Sequence, residues 1–300
     1  MRKIVVLGST NTDLVITGRR LPLPGETVTG GRFQVHPGGK GANQAVAVAR
    51  LSSQHGACEF IAKVGDDLFG RETAVRMKKD GVDAKLLVDR NEPSGTAIIL
   101  VDAKGQNVIS VALGANGTLD AKDIAPYRKD IEGAAALLMQ LETPIATVRT
   151  AAAWAHSKGV PVILNPAPAT KLPMALYKCL DWITPNETEA EILTGVTVTD
   201  AKSAQEAVEI LLRRGVGHVA ITMGVKGVYC GAGRRIHPAK MVKAIDCVAA
   251  GDTFNGAFVV ALAEGRDCCE AIAFAQQAAS ISVTRRGAQS SVPFRKEISQ

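Results

Sequence analysis

No uninterrupted apolar stretch in the sequence reaches the 18 or so residues of a membrane-spanning helix, so no such span is expected. Aromatic residues make up only 4% of the chain, too few to supply the stacking faces of a nucleic-acid groove. The basic residues lack any long run. They occur as scattered pairs such as Arg19-Arg20, Lys78-Lys79, Arg213-Arg214 and Arg234-Arg235. A net charge of +6, from 35 basic and 29 acidic residues, therefore reads as a solvated surface with mild attraction for anions, and no nucleic-acid partner is expected. Six cysteines, at 58, 179, 230, 247, 268 and 269, form no Cys-x-x-Cys pair and no zinc-type spacing with histidine. They read as buried thiols of a reducing compartment. Met1-Arg2-Lys3 leads straight into Ile4–Leu7 without a signal-peptide pattern, so a cytoplasmic location is expected. The usual phosphate loop is missing too: Gly39-Lys40 is followed by Gly41, and Gln34 stands where the first glycine is required. There is no G-x-G-x-x-G dinucleotide fingerprint either.

What is present is an α/β pattern. With 300 residues and 46% hydrophobic content, the chain is long enough for one large domain with small excursions. The strand Lys3 to Leu7 ends in the polar segment Gly8-Ser9-Thr10-Asn11-Thr12-Asp13, where ligands of open parallel sheets bind. Leu14 to Gly18 and Thr27 to Val35, around Pro24-Gly25, suggest a small hairpin leaving the core. Thr96 to Val101 and Asn107 to Val111, joined around Lys104-Gly105, suggest a second. Together they would form a lid. Elsewhere strands and helices alternate: a helix over Ala42 to Leu51, a strand over Glu59 to Val64, a helix over Leu68 to Lys79 stopped by Asp80-Gly81. Strands follow at Ala135 to Gln140, Val160 to Asn165, Trp182 to Thr184 and His218 to Met223. Helices are expected over Pro144 to Lys158, Asp200 to Arg214, Asp252 to Ala263 and Glu270 to Val283.

The segment most suited to chemistry is Val248-Ala249-Ala250-Gly251-Asp252-Thr253-Phe254. Small residues run directly into an apolar helix, so backbone N–H groups and the positive helix end can face an anion. Asp252 is ionised at neutral pH, since an aspartate ordinarily titrates near 3.9, and can accept the proton of an attacking hydroxyl. Taken alone, the same turn fits a plain N-cap.

The segment does not stand alone. It resembles the signature of the ribokinase family of carbohydrate kinases, as do stations along essentially the whole chain. These are Gly8 to Asp13, Pro24-Gly25-Glu26-Thr27, Gly38-Gly39-Lys40-Gly41-Ala42-Asn43-Gln44-Ala45 and Leu138-Met139-Gln140-Leu141-Glu142. Asn165-Pro166-Ala167-Pro168, Thr184-Pro185-Asn186-Glu187-Thr188-Glu189 and Thr284-Arg285-Arg286-Gly287-Ala288 follow in the family's order.

The resemblance implies a three-layer αβα sandwich with a small β-sheet lid, the core spanning 1–11, 37–93 and 113–300 and the lid 12–36 and 94–112. It implies ATP-dependent phosphorylation of D-ribose at O5, the alternatives being 2-deoxyribose, another furanose or a nucleoside, or a non-catalytic sugar-binding regulator. Asn11, Asp13, Gly39, Lys40, Asn43 and Glu142 match sugar-contacting positions, with Asp252 as base and Ala249, Ala250, Gly251 and Asp252 supplying an anion hole. Singly, Asn11 and Asp13 could be turn formers, Asn43 a surface helix residue and Glu142 a helix-start carboxylate. Asn186 and Glu189 match a magnesium- and phosphate-associated motif, while Thr222, Gly224, Gly251 and Gln276 match nucleotide-contacting positions. A potassium site is implied at Asp246, the carbonyls of Val248, Ser282, Arg285 and Gly287, and Ser291. Cys247 departs from the family's usual threonine and Gln276 from a familiar histidine. A homodimer through the lid is also implied.

Overall fold

The computed structural model describes residues 2–298. Met1, Ser299 and Gln300, which the sequence analysis assigns to the core, lie outside them. Ile4–Leu7 is an inner strand of a nine-stranded sheet, third from one edge. It pairs in parallel with Cys58–Gly65 on one side and Ala136–Met139 on the other. Asp83–Asp89 completes the first edge, again in parallel. On the other side Val162–Leu164, Trp182–Ile183 and His218–Thr222 follow in parallel, then Val228–Cys230 and Arg235–His237 close the sheet as an antiparallel hairpin.

Alternation along each strand builds the layers. Ile4, Val6, Phe60, Leu138 and Ile163 face one core, packed under the helices Lys40–Leu51, Ala250–Ala263 and Cys268–Ser282. Val5, Leu7, Ile61, Leu137 and Leu164 face the other, under Ile145–Ser157, Glu187–Thr194 and Ala201–Arg213. Each fully buried aliphatic or aromatic side chain contributes about 1.5–3 kcal/mol, so two apolar faces explain why these strands are nearly all-apolar. The architecture is the expected αβα sandwich with a separate small sheet.

That small sheet has the strand order Arg32–Gly38, Asn11–Thr17, Gly95–Val101, Asn107–Ala112. The second hairpin forms as expected. The first is displaced: Thr27 to Gly31 carries no strand and pairing runs on to Gly38. Asn11 and Asp13, expected in a turn, already belong to a strand. Three strands escape a sequence reading. Asp83–Asp89 is a charge-rich edge strand, and Val228–Cys230 and Arg235–His237 are three residues each, too short to show a period. The cysteines are free, but only Cys58 and Cys230 are buried; Cys247 is exposed and the others are intermediate. The expectation of uniformly buried thiols fails because four of the six sit on helix ends and loops. No helix among the described residues is long and apolar enough to cross a membrane.

Candidate active site

The helix Ala250–Ala263 starts beside the carboxyl ends of the parallel strands. Its N-cap is Ala249, held at φ 57° and ψ 17°, a left-handed conformation that costs a non-glycine residue on the order of 1 kcal/mol. No side chain caps this end. Asp252 is therefore not the N-cap that its local sequence allows. It is the third residue of the helix, 7% exposed, and its carboxylate is turned to two amides. Asn43 Nδ2 donates to Oδ2 at 2.9 Å and Gln44 Nε2 donates to Oδ1 at 3.0 Å.

The turn itself presents N–H groups. Thr253 N donates to the Ala249 carbonyl at 2.8 Å, and Ala250 N reaches the Cys247 carbonyl at 3.3 Å. Of the four N–H groups expected to form an anion hole, Ala250's is thus already engaged, because the left-handed cap folds Cys247 back over the helix end. Among the described residues those of Gly251 and Asp252 carry no hydrogen bond. A side chain at Gly251 would meet nothing within 4 Å, so the space beyond them is open.

The other acidic and basic residues converge from separate segments. Glu142 accepts from Lys40 N at 2.9 Å and from the Ser9 hydroxyl. Burial disfavours the charge on Lys40, but Asp252, Glu142 and Glu189 outweigh this and raise its pKa. Asp13 is pushed up to about 6, mainly by burial and then by the charge of Glu142. Asn11 is buried, its Oδ1 accepting from Asn116 Nδ2 at 2.8 Å, and Asn116 also clamps the Thr10 backbone. Gly39, at φ 88°, lies where a Cβ would come within 2.6 Å of Asn11 N. Its bare backbone allows this close approach between strand and helix start.

A cavity of about 610 Å³ extends from Lys40 and Asp252 along the strand ends. Asn186, Glu189, Thr222, Gly224, Gly251 and Gln276, the residues matched to nucleotide and magnesium positions, all line it. Asn186 and Glu189 also cap a helix reciprocally: Asn186 Oδ1 accepts from Glu189 N at 2.8 Å and Glu189 Oε2 from Asn186 N at 2.9 Å. One Glu189 oxygen stays available, and burial raises this group's pKa. Gln276 donates to the His237 carbonyl at 2.8 Å, tying its helix to the edge hairpin.

The residues expected around a potassium ion lie on two laced segments. Asp246 accepts from Val248 N at 3.0 Å and from Gly287 N at 2.9 Å. Arg285 N donates to the Ser282 carbonyl at 3.0 Å, and buried Ser291 donates to the Ala288 carbonyl. Among the described residues no three His, Cys, Asp or Glu side chains cluster as a metal site.

Sequence reasoning assigned no role to Gln44, Asn116, Gln140, Asn165, Thr184 or Asn255, all buried here. Their signal was polar side chains standing beside, or inside, runs of apolar or small residues.

Comparison with known proteins agrees with this geometry. The family model described as pfkB family carbohydrate kinase matches residues 1–295. A ribokinase of Haemophilus influenzae is 46% identical over 301 residues, spanning 99% of this chain and 97% of that one. The crystal structure of ribokinase from Thermotoga maritima has a TM-score of 0.90 at 38% identity, covering 99% of this chain and 98% of that chain. Ribokinase of Arabidopsis thaliana, complexed with ribose and ATP, has a TM-score of 0.90 at 32% identity, covering 99% of this chain and 97% of that chain. The chain belongs to the pfkB family of carbohydrate kinases.

Proposed function

We propose that this kinase transfers the γ-phosphoryl group of ATP to O5 of D-ribose, giving D-ribose 5-phosphate and ADP. The observation that carries the reading is the position of Asp252. Asn43 and Gln44 hold its carboxylate from one side, and the long cavity opens on the other. The sugar lies over Asn11, Asp13, Lys40, Asn43 and Glu142, whose amides, carboxylates and ammonium supply the donors and acceptors a polyhydroxyl ligand needs. Gly39 supports it indirectly by setting the strand-to-helix approach. ATP occupies the cavity along Asn186, Thr222, Gly224 and Gln276.

Asp252 accepts the proton of the O5 hydroxyl as O5 bonds to the γ-phosphorus, and the bond from that phosphorus to the bridging oxygen of ADP breaks. The free N–H groups of Gly251 and Asp252, at the positive end of the helix, stabilise the charge on the transferring group. Ala249 and Ala250 shape this turn. Magnesium, when bound with the nucleotide, neutralises phosphate charge; Asn186 and the free oxygen of Glu189 would hold it through water. Potassium would be held by Asp246, Ser291 and the carbonyls of Val248, Ser282, Arg285 and Gly287. Their hard oxygen donors suit it, and the Asp246 lacing already orders the segment before the anion hole.

The small sheet, 12–36 with 94–112, acts as the lid over a core of 1–11, 37–93 and 113–300, and its closure excludes water that would otherwise hydrolyse ATP. Asn11 and Asp13 face the sugar. The opposite face exposes Ile16, Phe33, Val35, Ile98 and Val108, a surface suited to a second lid in a homodimer. The cytoplasm is the compartment that fits ATP use and unpaired thiols.

The test is turnover with D-ribose, 2-deoxy-D-ribose, fructose and adenosine, each with and without potassium. D-ribose is expected to give the highest kcat/KM, and equal or better use of another acceptor overturns the substrate assignment.

A further inference from the structure

Behind the carboxylate of Asp252 lies a buried line of amides. The Gln44 Nε2 group donates to Asp252 Oδ1 and to Asn165 Oδ1, both at 3.0 Å. Gln44 Oε1 accepts from Gln140 Nε2 at 2.6 Å. Gln44 is fully buried and Gln140 is 1% exposed. The carboxylate dictates every orientation in the line. An ionised carboxylate only accepts, so Gln44 must offer it N–H, must turn its carbonyl to Gln140, and must there meet N–H again.

The arrangement is costly. Gln140 Oε1 is buried with no hydrogen-bond partner. It lies 2.0 Å from where a Cβ at residue 8 would stand, so only Gly8 accommodates it. A buried oxygen without a partner has lost its hydration and gained nothing in return, and apolar side chains would fill the same space without that cost. The line also reaches the anion-hole turn. Asn165 Nδ2 donates to the Thr184 carbonyl, the Thr184 hydroxyl to Asn255 Oδ1, and Asn255 Nδ2 to the Gly251 carbonyl at 2.8 Å. Gln44, Asn165, Thr184 and Asn255 therefore connect the carboxylate with the turn that carries Gly251.

We propose that Gln44, oriented by Gln140, is a positioning residue for phosphoryl transfer, fixing the Asp252 carboxylate towards the acceptor hydroxyl and bonding to its charged form. The proposal rests on Asp252 being the base. The charged groups facing Asp252 from other elements are Lys40, at the start of the helix that carries Gln44, and Glu189, on Glu187–Thr194. Glu187 and Lys240 line the same cavity farther along. A hydrogen bond to the charged form opposes protonation, as Lys40 does and Glu189 does not.

The test is the pH dependence of kcat, at saturating sugar and ATP, for the wild type, Gln44→Met, Gln140→Met and Asp252→Asn, with thermal melts for folding. With Asn43 as its one remaining amide donor the carboxylate protonates more easily, so the acidic limb of Gln44→Met should move up by about one pH unit. Its kcat above the limb should fall about tenfold to a hundredfold, as for a misplaced catalytic group. Gln140→Met, one step removed and still folded if Gln44→Met is not, should move the limb the same way by less. A lowered melting temperature with a wild-type limb and kcat overturns the proposal and leaves the base intact. Wild-type turnover in Asp252→Asn overturns both.

Discussion

The two ends of the active cleft are built differently. At the end proposed for the sugar, Asn11, Asp13, Lys40, Asn43, Glu142 and Asp252 come from four separate segments; Asn116 bonds to Asn11, Ser9 to Glu142, and Asn43 and Gln44 to Asp252. At the end proposed for the nucleotide the wall is largely main chain, small residues and apolar side chains, with Val225 and Met241 each 78% exposed at the rim. The polar groups there, such as Asn186 and Gln276, already bond to the protein's own backbone. A prebuilt polar pocket loses little freedom on binding and rejects ligands that leave its groups unpaired, whereas an open apolar cleft selects by shape. Discrimination should therefore reside at the sugar end, with Asp252 at the junction.

The largest expected effect tests that junction. Asp252→Asn should lower kcat about 10³-fold, the upper range for a lost general base, while calorimetry shows both substrates still binding. Loss of binding at both ends would break the comparison. The next effect sharpens it. Asp13→Asn should raise the sugar KM about tenfold or more, the value of a hydrogen bond to a charged group, with the ATP KM unchanged. In the wild type, kcat/KM for the sugar should fall as pH drops through about 6, where Asp13 protonates, and the variant should lack this limb.

The same group carries a stability cost with a defined sign. Its folded pKa lies above the unfolded value of 3.8, so the native state is penalised above about 6 and not below 3.8. Urea melts of Asp13→Asn should show a gain of about 2 kcal/mol at pH 8 and none at pH 3. The smallest effect lies at the far end. Gln276→Ala should raise the ATP KM about threefold, through one neutral hydrogen bond to the edge hairpin, and leave the sugar KM alone.

Helices with local start and stop signals were legible. Leu68–Lys79 has the predicted limits because Asp67 caps it and Asp80-Gly81 ends it. The Asn186 and Glu189 pair was legible only through the family resemblance, although the capping box it forms needs only residues three apart. The edge strands were not, because a three-residue strand or one lined with lysine and aspartate shows no apolar period. Local rules alone would have left Asp252 as a helix cap. An aspartate at a helix start satisfies local rules, yet Ala249 in the left-handed region takes that place.

The sequence by itself determined the parallel αβ core, through all-apolar strand segments alternating with amphipathic helices, and the residue types gathered at the strand ends. It also determined where glycine was needed for a turn. Only the tertiary structure decided what those residues do. Gln44 meets Asp252 at a sequence separation of 208 and Gln140 at one of 96, and Gly8 is bare because Gln140 lies against it. Local propensity acts over a few residues, whereas hydrogen bonds of this kind exist only once the sheet has brought distant strand ends together.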